Sequence, residues 1–420
     1  MPTQTKIIQK KRIAQLVALC SIAYFVSYLT RVNYAAVLVE IIRTENFTRQ
    51  AASVALTGLF ITYGAGQIVS GRLGDRYSPE KIVFTGLLLA AAMNFLIPFC
   101  PTPTLMTVVW CINGFAQALM WPPIVAIFTR YLQNETYRKT VIFVGWGGNT
   151  GAMVVYLLVP ALLSGFSWRS VFFVCGTMAV IMAVVWITVI GRIESYAEPV
   201  GSDEAEAAES SGASDGPTAS LKKKVTALVV GYLALTMIAI VAQGVLRDGI
   251  STWMPSYISE QFDLGSGVSI LTGVGLPIFS ILTTFIASNV NRKLVRNENL
   301  CAAVFFVICT VCTLILCFSY QQSPILSVIL LTLANGSTHG INLMFTCMIV
   351  PYFAKYGRAS FVAGILNSAT YVGSALSTYG IAAVTDRFGW GGTMFVWCAA
   401  GVIGIVICLL TVGALNRMKK

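Results

Sequence analysis

Twelve stretches of about 20 mostly apolar residues recur along the chain, and each is long enough to cross a lipid bilayer as a helix. Of the 420 residues, 56% are hydrophobic and 11% are charged, whereas soluble domains carry about 25% charged residues. We therefore predict an all-α membrane protein with twelve transmembrane spans. Their centres lie near residues 25, 60, 90, 117, 150, 179, 240, 279, 310, 337, 371 and 402.

The positive charge of the chain follows the predicted topology. Lys and Arg outnumber Asp and Glu by 28 to 17, and most of these basic residues lie in tails and loops on the N-terminal side of the membrane. Arg43, Arg49, Arg169 and Arg387 fall on the opposite side. Because short cytoplasmic loops are enriched in Lys and Arg, we expect both termini in the cytoplasm and the protein in the inner, or cytoplasmic, cell membrane. The excess of basic residues is explained by their position in loops on one side of the membrane, so we expect no nucleic-acid partner.

Arg31 lies deep in the first predicted span, where a charged side chain is costly. Estimates for the bilayer centre run from about 3 to above 10 kcal/mol, so such a residue normally faces a cavity and marks a ligand or ion pathway. Tyr24 and Tyr28 precede it by seven and three residues, which places all three on one helix face. Arg247 is a second arginine within a span. We interpret these arginines as parts of a binding site rather than as side chains that snorkel to the membrane surface.

An acidic stretch rich in small residues separates two groups of six spans. Residues 192–224 show no hydrophobic periodicity, so we expect a cytoplasmic linker that is disordered or weakly helical. It divides the chain into an N-terminal half, residues 1–191, and a C-terminal half, residues 225–420. Arg247 lies in the span that corresponds to that of Arg31. This pattern indicates two pseudo-symmetric six-helix halves with a site near the midplane between them.

Other polar residues within the spans are candidates for coupling or for lining the pathway. Asp248 adjoins Arg247, but neighbouring helical residues diverge by about 100°, so Asp248 either partners another helix or titrates. The adjacent cation favours its ionised form. His339, the single histidine, either packs through hydrogen bonds or lines the pathway. Asn149 and Thr150 lie in a glycine-rich fifth span and are further pathway candidates.

The eleven cysteines lie mostly in apolar runs. We interpret them as small apolar side chains, and we expect neither a metal nor a cofactor.

The loop between the second and third spans carries a charged pattern. Residues 71–81, GRLGDRYSPEK, resemble the G-x-L-x-D-R-x-x-x-[KR] loop of the major facilitator superfamily, although Glu80 stands at the last position. Gly71 allows close helix approach, and Asp75 can lie against a helix N-terminus or a cation and hold the cytoplasmic side shut. We interpret Gly71, Asp75 and Arg76 as gating residues.

More specific segments resemble the organophosphate:phosphate antiporter family within that superfamily. They are YLTRVN, TYGAGQIVSGRLGDR, QALMWPP, LRDGISTWMPSY and SATYVGSAL. The resemblance implies the major facilitator fold and the exchange of organic phosphates for inorganic phosphate. It also implies that Arg31 and Arg247 hold the phosphate, one from each half, as planar bidentate forks. The aromatic residues that would surround it are Tyr24, Tyr28, Tyr63, Trp121, Trp146 and Tyr371.

The chain departs from this family at several polar positions. Members of the family usually have charged residues, a histidine or a tyrosine where this chain has Val32, Gln67, Thr150, Gly244, Thr252 and Thr272. The two arginines are therefore retained while several of their ionic neighbours are lost.

We interpret the chain as a secondary transporter of an organic phosphate or similar small organic anion, exchanged for inorganic phosphate by alternating access. It is expected to act as a monomer in the lipid bilayer. One alternative is a proton-coupled symporter or exporter of another organic anion that uses Asp248 or His339. Another is a transporter-like membrane sensor of sugar phosphate. No nucleophile, metal-ligand or nucleotide motif indicates an enzyme.

Overall fold

The structure is a computed structural model that describes residues 5–7, 9–196, 198–199, 219–350, 352–353 and 359–419. Nearly all of these residues are helical. The N-terminal part contains α1 (Lys10–Glu45), α2 (Arg49–Arg76), α3 (Pro79–Leu96), α4 (Pro103–Ala118), α5 (Trp121–Tyr131), α6 (Asn134–Leu163) and α7 (Arg169–Glu194), with a 3-10 turn at Ile97–Phe99. The C-terminal part contains α8 (Ala219–Phe262), α9 (Ser266–Thr272), α10 (Gly275–Lys293), α11 (Glu298–Ser319), α12 (Pro324–Leu343), a π-helical turn at Met344–Met348, and α13 (Ala359–Lys419).

The helices account for twelve membrane crossings. Within the described ranges, eleven helical segments are long and apolar enough to span a bilayer. The last of them, Gly364–Met418, has 55 residues, more than twice the ~20 that one crossing needs. Gly389 breaks it with φ 68° and ψ −175°, a backbone conformation that glycine adopts without a side-chain penalty. The predicted all-α membrane protein with twelve spans in two halves is therefore confirmed.

Two of the crossings consist of two shorter helices. The fourth is interrupted after Ala118, and α5 begins at Trp121 with Pro122 and Pro123 in its first turn. Proline has no N–H group, but the N–H groups of a first turn lack helical partners anyway, so a helix can start there at little cost. The interruption that the proline pair predicts lies at this point. The eighth crossing is divided between α9 and α10 in a similar way.

Helices extend into both ends of the predicted linker. Helix α7 continues to Glu194 and α8 begins at Ala219. Between them, Glu198–Pro199 forms a two-residue strand, β2, that pairs antiparallel with β1 at Thr5–Lys6. Residues 197 and 200–218 lie outside the described part of the chain, so the domain division at 192–224 stays a prediction.

Each half forms its own helix bundle, and an extended contact joins the two. Helix α1 packs on α6 and α7, α2 packs on α4, and in the other half α13 packs on α8 and α11. Between the halves, α2 lies along the first part of α13, with Thr57 against Thr378 and Tyr63 against Tyr371. Helix α6 packs on α9 and α10. These contacts leave a space between the halves near the middle of the helices.

Helices α8 and α13 approach each other so closely that each needs a glycine at the contact. A Cβ atom on Gly373 would collide with the Val241 carbonyl oxygen, and one on Gly244 would collide with the Thr370 carbonyl oxygen. Helix α8 carries the membrane arginine of the C-terminal half. The spacing of these two backbones therefore helps to set the position of that arginine.

Gly373→Ala is expected to lower the melting temperature of the purified protein in detergent, because a backbone atom cannot move aside as a flexible side chain can. Overpacking of this kind costs about 1–3 kcal/mol. Gly380→Ala on the same helix is the control, since a Cβ atom there meets nothing within 4 Å and alanine favours the helix by ~1 kcal/mol. Equal melting temperatures for the two variants would show that α8 and α13 can separate freely.

Candidate functional site

A cavity lies between the two halves, and both halves contribute side chains to its lining. Helices α1, α2 and α6 line it from the N-terminal half, and α8, α10, α12 and α13 line it from the C-terminal half. The lining residues are Tyr28, Arg31, Val32, Ala35, Leu56, Leu59, Phe60, Asn149, Ala152, Tyr156, Arg247, Asp248, Ser251, Thr252, Leu276, Pro277, Ser280, Asn335, His339 and Tyr371. The fold thus brings the two membrane arginines to one space.

The Arg31 guanidinium is surrounded by aromatic rings. Its Cζ atom lies 4.2 Å from the ring centroid of Tyr63, 5.5 Å from that of Tyr28 and 5.6 Å from that of Tyr371. At these distances cation–π attraction compensates part of the desolvation of the charge. No carboxylate of the described residues forms an ion pair with Arg31. Its charge and its planar fork therefore remain available to the cavity.

Arg247 differs from Arg31 because it is already paired. Its Nε atom donates to Asp248 Oδ1 at 3.0 Å, and its Nη2 atom donates to Oδ2 at 2.7 Å. Ser374 of α13 donates a further hydrogen bond to Oδ2. The long arginine side chain thus folds back onto its neighbour, and Asp248 also has a partner on another helix. The ring centroid of Tyr371 lies 5.7 Å from Arg247 Cζ, so both cations approach the same ring.

Buried amide side chains hold the backbone beside each arginine. The carbonyl oxygen of Thr30 accepts hydrogen bonds from Asn94 Nδ2 at 3.1 Å and from Asn113 Nδ2 at 3.0 Å. In the other half, the carbonyl oxygen of Arg247 accepts from Asn335 Nδ2 at 2.8 Å. Asn113 and Asn335 lie on the fourth and tenth crossings, which correspond in the two halves. The sequence analysis did not identify Asn94 and Asn113. Each could have been recognised as a polar amide side chain within an otherwise apolar span.

The aromatic residues expected around the ligand lie in successive layers. Tyr28 and Tyr371 line the cavity, and the buried Tyr63 packs behind Arg31. Tyr24 and Trp121 form a layer further out: their ring centroids are 4.9 Å apart, and Tyr24 meets Tyr28 edge to face at 5.2 Å. The inner rings can touch a ligand, whereas the outer rings support the inner ones.

The candidates on α6 and α12 are divided between the cavity and other surfaces. Asn149 and His339 line the cavity, but Trp146 and Thr150 do not. Trp146 is 40% exposed and lies beside Phe143, and the Thr150 hydroxyl donates to the Trp146 carbonyl oxygen at 3.0 Å. Residues four apart share a helix face, and neither Trp146 nor Thr150 is among the side chains that line the cavity.

The gating residues proposed from the charged loop lie at the end of α2. This helix continues to Arg76, but the side chains of Gly71, Asp75 and Arg76 lie outside the described ones, so their role stays a prediction. Among the described residues, no group of three His, Cys, Asp or Glu side chains could hold a metal ion. All eleven cysteines are free thiols.

An ionic cluster joins the two halves at the end of the bundle opposite the first residues of α1. Arg49, the first residue of α2, donates to Glu260 Oε2 at 2.5 Å and also pairs with Asp386. Glu260 accepts a second hydrogen bond from Trp390 Nε1 at 3.0 Å. Arg49 belongs to the N-terminal half and its partners belong to the C-terminal half. The cluster therefore ties the two halves together at this end.

Two proteins with named functions resemble the chain in sequence. The glycerol-3-phosphate transporter of Bacillus subtilis (strain 168) is 22% identical over 401 residues, which cover 93% of this chain and 90% of that protein. The membrane sensor protein UhpC of Salmonella typhimurium is 24% identical over 258 residues, which cover 60% of this chain and 57% of that protein. The resemblance to organophosphate:phosphate antiporters is confirmed by these relatives.

The fold itself also occurs among solved structures. The crystal structure of the nucleoside transporter NupG superposes with a TM-score of 0.69 at 15% identity and covers 96% of this chain and 100% of that one. Residues 20–378 match the family model of the Major Facilitator Superfamily. This range includes both arginines and every residue that lines the cavity. The chain therefore belongs to the Major Facilitator Superfamily.

Proposed function

We propose that the chain is a secondary transporter of a small organic anion, with organic phosphates as one class of cargo. The observation that carries the proposal is Arg31, a guanidinium on the cavity between the halves that is paired with no described carboxylate. A permanent cation in such a place is costly unless it meets an anion. The similarity to a glycerol-3-phosphate transporter supports an anionic cargo. None of the relatives named above is an enzyme, and we infer that this chain is not one.

Alternating access fits a cavity that lies between the halves and an ionic cluster that joins the halves at one end. Both halves line the cavity, and Arg49 ties them at one end through Glu260 and Asp386. A rigid-body rocking of the halves would separate Arg49 from both carboxylates and open the cavity at that end. The basic loops predict cytoplasmic termini, and with that orientation the end that carries the Arg49 cluster faces the outside of the cell. One chain contributes both walls of the cavity, which supports a monomer as the transporting unit in the cytoplasmic membrane.

Arg31→Lys and Arg247→Lys should each lower anion uptake at least about tenfold. Lysine keeps the charge but lacks the planar fork, which Arg31 offers to the anion and which Arg247 uses to hold Asp248. One charge-assisted hydrogen bond is worth about 1.5–3 kcal/mol. Uptake of labelled glycerol 3-phosphate and of phosphate into proteoliposomes measures the effect. Arg43→Lys is the control, because the Arg43 side chain is 69% exposed and pairs with Glu40 of its own helix. Near-normal uptake by both cavity variants would contradict a site shared between the arginines.

Arg49→Gln should increase access to the cavity from the outer side, because Glu260 and Asp386 lose the cation that they share. The reporter is Val32→Cys, placed on the cavity lining and labelled with a membrane-impermeant maleimide added outside. We expect labelling to become several times faster with Arg49→Gln, after subtraction of the labelling of the native thiols. Arg43→Gln removes an arginine whose partner Glu40 lies on the same helix, and it should change nothing. Equal rates for both variants would mean that the Arg49 cluster does not hold the halves together.

Exchange for inorganic phosphate is the finer part of the proposal. Two arginines stay charged at physiological pH, so exchange of one anion for another needs no titrating side chain. In proteoliposomes loaded with phosphate, uptake of labelled glycerol 3-phosphate should persist after the pH gradient is collapsed and should stop when internal phosphate is omitted. Uptake that needs the gradient and ignores internal phosphate would instead support proton-coupled symport through Asp248 or His339.

A membrane sensor of sugar phosphate is a second candidate. The similarity to UhpC over 60% of the chain supports it, and the same cavity would serve either role. Ligand binding alone therefore does not separate a sensor from a transporter. Binding of a sugar phosphate without measurable uptake into proteoliposomes would favour the sensor.

A further inference from the structure

We propose that the cavity selects its ligand as a monoanion, an anion with one negative charge, and discriminates against dianions of the same shape. The inference rests on the proposed function, because it concerns the charge of the anion that the site binds. It is carried by the difference between the two arginines. Arg31 is paired with no described carboxylate, whereas Arg247 is paired at two of its nitrogen atoms with Asp248.

The described charged side chains of the cavity lining leave one net positive charge. Arg31 and Arg247 each contribute a positive charge, and Asp248 contributes a negative one. Among the side chains that the structure describes, α2 and α10 contribute no titratable group to the lining. The other titratable groups of the lining are ordinarily neutral at pH 8; they are Tyr28 on α1, Tyr156 on α6, His339 on α12 and Tyr371 on α13. A monoanion neutralises this site, whereas a dianion leaves an excess negative charge.

Asp248 is held too firmly to give up its place on Arg247 to a ligand. It accepts hydrogen bonds from Arg247 Nε at 3.0 Å and Nη2 at 2.7 Å, and a third from the buried Ser374. Removing one partner of a largely buried ion pair is strongly destabilising, because the other charge is left without its counter-ion. An anion that displaced Asp248 would create that situation. The Arg247–Asp248 pair therefore meets the ligand as a neutral polar unit.

Arg31 is then the charged contact for the ligand. Its guanidinium fork suits the planar or tetrahedral oxygens of an anionic group, and the rings of Tyr28 and Tyr371 flank it. The rest of the ligand meets neutral amides such as Asn149 and apolar side chains. A second negative charge would lie among these uncharged side chains without a second available cation, and a charge without a partner is disfavoured away from bulk water.

Phosphate and sulfate monoesters of the same alcohol separate charge from shape. Both end in a tetrahedral group, but the phosphate ester carries close to two negative charges at pH 8 and the sulfate ester carries one. The unmodified full-length protein in detergent would be titrated calorimetrically with three such pairs, the esters of glycerol at C3, of glucose at C6 and of phenol. We expect the sulfate ester to bind more tightly than its phosphate partner at pH 8.

The size of the expected difference follows from the titration of the ligand. With a second pKa of about 6, a phosphate ester is about 1% monoanion at pH 8, so its apparent Kd should be ~100-fold weaker than that of the sulfate ester. At pH 5 about nine-tenths of it is monoanion, and the difference should shrink to less than about twofold. The sulfate ester keeps its charge throughout, so it corrects for any titration of the protein, including that of His339.

Asp248→Asn removes one negative charge at nearly constant shape and should invert the preference at pH 8, so that the phosphate ester binds more tightly. Glu45→Gln is the matched control, because Glu45 lies outside the cavity lining and pairs with Arg169; it should leave the preference unchanged. If Asp248→Asn does not fold, the pH dependence of the unmodified protein decides the question alone.

The two possible failures are distinguishable. A phosphate ester that binds the unmodified protein more tightly than its sulfate partner at pH 8 overturns the monoanion inference and leaves anion transport intact. If no ester of either kind binds at pH 5 or pH 8, the proposed function itself fails.

Discussion

The guanidinium of Arg31, which pairs with no carboxylate in the described part of the chain, dictates how the side chains around the cavity are arranged. A charge placed between apolar helices needs compensation, and here aromatic faces supply only part of it, since the Tyr63 ring attracts the cation without neutralising it. The backbone next to Arg31 is held in place by two hydrogen bonds, which Asn94 and Asn113 donate to the carbonyl oxygen of Thr30. The protein thus holds the cation in position and leaves its charge for another partner.

The two halves repeat a backbone arrangement but not its charge. An asparagine of the fourth crossing binds the chain beside Arg31, and Asn335 of the tenth crossing binds the carbonyl oxygen of Arg247 in the same manner. Only the second arginine has a carboxylate as its next neighbour, Asp248, and this carboxylate occupies its Nε and Nη2 atoms. The backbones of the two halves are therefore pseudo-symmetric, but their charges are not. Arg31 presents a positive charge on one side of the cavity, and the Arg247–Asp248 pair is neutral on the other.

Tyr371 contacts residues of both halves beside the two arginines. It belongs to α13 in the C-terminal half, yet its ring contacts Tyr63 of α2 at 4.6 Å and lies near both guanidinium groups. The same two helices carry Arg49 and Asp386, which pair at the end where the ionic cluster joins the halves. Any rocking that opens this end also shifts Tyr371 relative to Arg31. In the proposed alternating-access movement, the surroundings of Arg31 would therefore change when this end opens.

The class of protein, the number of crossings and the functional interest of the two arginines could all be predicted from the sequence. Bilayer thickness sets the length of each span, and a charge within a span is visible locally, as Arg31 and Arg247 are. Even the interruption of the fourth crossing at Trp121 could be predicted, because consecutive prolines act on the backbone beside them. These features depend on residues that are close in sequence.

Which of these charges have a partner among the described residues depends on the folded chain. The pairing of Arg247 with Asp248 depends on how a long side chain folds back, and on Ser374, which another helix brings to the same carboxylate. Trp146, expected near the ligand, lies off the cavity because the packing of α6 turns a different face inward. A sequence pattern shows which residues are unsuited to lipid, but rotamers and distant helices select their partners. The net charge of the cavity is therefore a property of the folded chain.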